Sequence, residues 1–67
     1  MIAPDDLEHG VMYDFIYRSV SGPRKVLCGR FLKMDVEHRT LWMWFEVDGI
    51  NMPYDYGSLL KIELQGV

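Results

Sequence analysis

Cysteine occurs once in this 67-residue chain, at Cys28, so no internal disulfide can staple the fold. Histidine occurs twice, at His9 and His38. Neither stands in a motif that would make a neighbouring Ser or Cys a nucleophile, and a zinc site needs several Cys or His at short spacings. The acids Asp5, Asp6 and Glu8 cluster without the spacing of a calcium loop. No glycine-rich loop opens a helix, as phosphate binding would require. The expectation is a protein that is not an enzyme, with no catalytic residue, no metal and no cofactor. No apolar run approaches the roughly 18 residues of a membrane span, and no basic segment leads into an apolar stretch near the N-terminus. The expected location is the cytoplasm, away from the membrane.

What is present belongs to a folded protein. Hydrophobic residues make up 49%, aromatics 13% and charged residues 25%, outside the polar, aromatic-poor range of disorder. The length allows one domain with a thin core. The net charge of −3 is unevenly spread. Residues 1–17 carry four acids and no Lys or Arg, residues 18–39 carry six bases against two acids, and residues 40–67 carry four acids against Lys61. Bases at turns and strand edges keep a small sheet soluble; gathered on one face, they would meet phosphate or an acidic partner.

Residues 1–10 read as an arm that is frayed or holds one helical turn starting at Pro4. Residues 11–67 read as the folded domain. From Val11 the apolar period becomes two, which predicts a strand over 11–18. Ser21-Gly22-Pro23-Arg24 predicts a turn, and a second strand follows over about 25–34. Gly29 inside it points to a bulge, a sharp bend or a close backbone approach. Residues 35–39 are polar enough for a tight connection. A third strand over 40–47 leads into Asp48-Gly49, a hairpin signal because both central turn residues must accept positive φ. A fourth strand over 50–54 contains Pro53, which confines it to an edge or an end. After a turn over 55–58 comes a fifth strand, 59–64. Five short strands with no helix of 10 or more residues predict an all-β fold, a five-stranded small open barrel.

Alternation in the third strand sets Leu41, Met43, Phe45 and Val47 on a core face. Thr40, Trp42, Trp44 and Glu46 take the other, where the two indoles stand about 7 Å apart. Exposed there, they would anchor a protein interface or stack bases. The competing arrangement packs one of them under the arm or a loop.

Gly29-Arg30-Phe31-Leu32-Lys33-Met34-Asp35, with Arg39 four residues after the Asp, resembles the first motif of Sm-like proteins. Tyr56-Gly57 before the apolar 59–62 is similar to their second motif. The resemblance covers about half the chain. It implies a five-stranded open barrel, usually preceded by a helix, that often forms rings and binds single-stranded RNA. Only Asp35 and Gly57 carry over, because Arg39 replaces the motif's Asn and Tyr56 its Arg. Tyr13-Asp14-Phe15, Trp42 and Pro53-x-x-Tyr56 resemble aromatic positions of Src-homology-3 domains, which in that family form grooves for proline-rich segments. The loop before Trp42 is shorter than in that family.

The leading expectation is a protein-binding module, a small regulator or inhibitor of a larger complex of the kind found in phages and mobile elements. Trp42, Trp44 and Tyr17 are the expected anchors, with Arg18 and Arg39 at the rim. The alternative is a single-stranded nucleic-acid binder that contacts phosphate through Arg24, Lys25, Arg30, Lys33 and Arg39. A third expectation is self-assembly into a homo-oligomer through an open sheet edge.

Overall fold

The computed structural model describes residues 2–18 and 20–66. Met1 and Val67, the outermost residues of the expected arm and domain, lie outside the described residues, as does Ser19. The chain is all-β with almost no helix. After a 3-10 turn at Pro4–Asp6 come β1 (Met12–Arg18), β2 (Arg24–Glu37), β3 (Thr40–Val47) and β4 (Ile50–Asp55). A second 3-10 turn, Tyr56–Ser58, leads to β5 (Leu59–Leu64). All four strand pairings are antiparallel, and the sheet order is β4-β3-β2-β1-β5. The hydrogen-bonded ladder does not close, so β4 and β5 are its edges. Pro53 sits on one of those edges, where its missing N–H costs no ladder bond.

The alternation read from the sequence is what fills the core. Tyr13 and Phe15 of β1, Phe31 of β2, Met43 and Phe45 of β3, Tyr54 of β4, and Leu59 and Ile62 of β5 form one buried cluster. All five strands contribute, so the sheet must curl around its own inner face. Gly29 permits the curl. A Cβ placed there would lie 2.9 Å from Val47 Cγ2 and 3.1 Å from the Glu46 carbonyl oxygen. Of the three arrangements its position allowed, close backbone approach is the one found.

The second strand is longer than expected. It runs unbroken to Glu37, and the connection shrinks to His38 and Arg39. The polarity of 35–39 misleads because Asp35 and Glu37 are simply the outward half of a continuing alternation. A bulge at Leu32 makes this so. Phe31 pairs with Phe45 and Lys33 with Trp44, leaving Leu32 as the extra residue. One inserted residue reverses which face every later side chain takes. Lys33, Asp35 and Glu37 therefore face outward beside the indoles instead of pointing into the core.

The two hairpin turns around β3 differ in chemistry. Asp48 (φ 52°) and Gly49 (φ 79°) adopt the left-handed geometry their residue types favour. His38 (φ 52°) and Arg39 (φ 64°) adopt it without a glycine. For L-residues that region costs about 1–2 kcal/mol each.

The N-terminal residues are fastened to the sheet. Leu7 belongs to the buried core. The Gly10 N–H donates to the Phe31 carbonyl (2.8 Å), and the Phe31 N–H donates to the Val11 carbonyl (2.9 Å). His9 Nδ1 donates to the carbonyl of the bulge residue Leu32 at 2.7 Å, so Nδ1 carries the proton in this arrangement. Among the described residues no helix is long and apolar enough to cross a membrane.

Candidate protein-binding face

The outer face of β2, β3 and β4 is built in cross-strand rows. Arg30, Glu46 and Asn51 form one row, Lys33, Trp44 and Pro53 the next, and Asp35, Trp42 and Asp55 the third. Glu37 and Thr40 end it beside the His38 turn. Trp42 and Trp44 are both half-buried, and neither belongs to the core cluster. With Pro53, Thr40, Asp35, Glu37 and His38 they line a groove of about 290 Å3.

The two indoles differ in their surroundings. The Lys33 ammonium lies 5.4 Å from the centroid of the Trp44 ring, a cation–π contact made by the chain itself. The Trp44 Nε1–H is shielded from solvent yet has no acceptor among the described residues. Trp42 is flanked in the ladder by two carboxylates, Asp35 on β2 and Asp55 on β4. One oxygen of Asp55 accepts from the Gly57 N–H at 2.9 Å, which caps the 3-10 turn. Asp35 thus stands in the row of Trp42, and Gly57 lies next to that row through the Asp55 cap.

The other expected anchors lie elsewhere. Tyr17 shares the inner face with Tyr13 and Phe15, and its ring meets the edge of Tyr54 at 5.0 Å and 74°. Arg18 pairs with Arg24 at the far end of the β1–β2 ladder. Arg39 is exposed in the strained turn, one residue beyond the groove wall at His38. So the structure brings Trp42 and Trp44 together, sets Arg39 just past the end of their groove, and separates Tyr17 and Arg18 from it.

The bases expected to contact phosphate are dispersed. Arg24 and Lys25 lie at the start of β2 and Arg39 just past its end. Arg30 reaches Glu46 at 3.9 Å, and Lys33 is engaged over Trp44.

Sequence reasoning missed Asp35, Glu37, His38 and Pro53 as walls of the groove. A usable signal existed: Met34 and Val36 continue the apolar half of the alternation past residue 34, while Lys33, Asp35 and Glu37 continue the charged half.

Cys28 is half-buried on the outer face of β2, paired in the ladder with Asp14, and its Sγ accepts from Gln65 Nε2 at 3.0 Å. Burial, together with the hydrogen bond and charge of Asp14, pushes the thiol above its ordinary value, the opposite of an activated nucleophile. Among the described residues no three His, Cys, Asp or Glu side chains converge as a metal site requires. In comparisons with known proteins no family model matches this chain, and no curated protein or solved structure was found to match it.

Proposed function

We propose that this protein is a non-enzymatic protein-binding module, a small cytoplasmic regulator or inhibitor that docks on a larger assembly. We read its sheet as a small open barrel of the Sm-like or Src-homology-3-like kind. Five antiparallel strands, a short helical turn ahead of the first and an unclosed ladder support that reading. The observation that carries the function is the pair Trp42 and Trp44, half-buried side by side on a pleated face and lining one groove with Pro53. Rigid aromatics partly withheld from the core are the commonest source of interface energy, because they bury a large area at small entropic cost.

The test compares proteins captured from the native host by the wild-type chain and by Trp42→Ala. A partner lost with Trp42→Ala, at unchanged far-ultraviolet dichroism, supports the reading. A partner retained at full strength rejects this face. The nucleic-acid alternative has weaker support, because its bases are distributed along the whole of β2 and partly engaged with Glu46 and Trp44.

A further inference from the structure

We propose that the groove beside Trp42 receives a cationic side chain, Arg or Lys, from a basic segment of the partner protein. This rests on the reading of the outer face as a docking surface and names the chemistry it recognises.

Three observations converge. The first is charge. Asp35 and Glu37 line the groove, and among the described residues neither is paired with Lys or Arg. Among the described residues the one ionic neighbour of Glu37 is His38 Nε2 at 3.6 Å, an exposed imidazole. The groove therefore carries two carboxylates that no Lys or Arg among the described residues neutralises, beside an apolar floor of Trp42, Trp44 and Pro53. The second is the behaviour of the neighbouring ring. Lys33 already covers Trp44 at 5.4 Å, which shows that an indole of this face holds a cation. Among the described residues no cation covers Trp42, although its ladder neighbours Asp35 and Asp55 make its surroundings the more negative. The third is size. About 290 Å3 lies at the small end of ligand pockets, suited to one long side chain lying on a ring.

A guanidinium suits this arrangement well. Its plane can stack on the indole while its N–H fork faces the carboxylates. An acidic or phosphorylated segment would meet repulsion from Asp35 and Glu37 instead. The bulge at Leu32 is what makes the site, since it carries both acids onto the face of the indoles.

The test follows tryptophan fluorescence during titration with three synthetic peptides of equal length: Arg/Lys-rich, neutral proline-rich and acidic. Saturable quenching by the basic peptide is expected, with affinity falling about tenfold in the double variant Asp35→Asn, Glu37→Gln. It is also expected to weaken strongly at about 1 M salt, where the screening length is ~3 Å. Both substituted side chains are exposed, so the double variant keeps its fold, which far-ultraviolet dichroism checks.

Equal binding of the basic peptide by the double variant overturns the inference, as does equal or tighter binding of either other peptide. Neutral-peptide binding that disappears in Trp42→Ala leaves the docking face standing and removes only the cation. Absence of quenching by all three peptides rejects the inference, while the capture experiment judges the docking face separately. Light scattering covers the remaining occupant. If the wild type self-associates and the double variant is monomeric, the groove takes a second copy through Arg18, Arg24 and Lys25, and the partner proposal fails.

Discussion

The rings of Phe15 and Phe45 stack at 4.3 Å between centroids and 25° between planes, although β2 lies between their strands. Strands two apart in a flat sheet are separated by about 9.6 Å. The rings can meet only because the sheet curls and because Gly29, on the intervening strand, has no side chain. Phe31 and Tyr54 complete the cluster edge-on to Phe45, at 5.5 and 6.1 Å.

Gly29→Ala should therefore destabilise the fold by about 1–3 kcal/mol, the usual cost of forced overpacking. The methyl would meet Val47, the Phe45 Cβ and the Glu46 carbonyl, and two of those contacts are at or beside the backbone. A lowered urea midpoint at unchanged slope would show it. An unchanged midpoint would mean that the sheet relaxes without cost.

The turn between β2 and β3 should respond in the opposite direction. Replacing His38-Arg39 with Asn-Gly supplies the residues this geometry favours and should stabilise the protein by about 1 kcal/mol. Thermal melting measures the gain. Because His38 lines the groove, the same variant shows whether the strained turn serves binding, through its affinity for the basic peptide.

Trp44 carries an N–H without an acceptor among the described residues, so its two simplest substitutions should separate. Trp44→Phe removes that donor, which relieves about 1–3 kcal/mol of desolvation cost and offsets much of the lost ring area. Its stability should fall within about 1 kcal/mol of wild type. Trp44→Ala also strips the ring from under Lys33 and should cost about 2–3 kcal/mol. Equal losses in chemical denaturation would show that the indole N–H finds a partner in solution.

Alkali should weaken the fold from about pH 9 upward. Burial, then the charges of Tyr17 and Asp48, pushes the Tyr54 phenol above its ordinary value of 10.0. Burial and Asp14 push the Cys28 thiol above 9.0. Both groups are neutral when protonated, and the unfolded chain releases these protons first. Their contribution is therefore complete at neutral pH and is lost as pH climbs from the unfolded values through the folded ones. Urea midpoints between pH 7 and pH 11 should fall less steeply in Tyr54→Phe and in Cys28→Ala than in wild type. Identical slopes in all three would refute the assignment.

Much of the scaffold was legible because period-two alternation is a local property. Residues 40–47 and 59–64 are strands as read, Asp48-Gly49 turns as its residue types require, and Pro53 marks an edge. The same alternation already placed Tyr17 with Tyr13 and Phe15, so its choice as an outer anchor went against the pattern. The Leu32 bulge was legible only as a change of parity, the apolar positions moving from Phe31 to Met34 and Val36. Placing the skipped residue depends on which residue of β3 faces which residue of β2. The docking of the arm through Leu7 and His9 was hidden for the same reason, since its acceptor is the bulge carbonyl itself.

By itself the sequence determined a pleated chain with one apolar face, two adjacent indoles on the other, and turns at the places its glycines and polar residues mark. Those outcomes follow from side-chain periodicity and backbone freedom within a few residues. Only the tertiary structure decided that the sheet curls over Gly29 and that the bulge sets Asp35 and Glu37 beside Trp42. Register and curvature arise from contacts between residues far apart in the chain, and they turned two neighbouring indoles into an acidic aromatic groove.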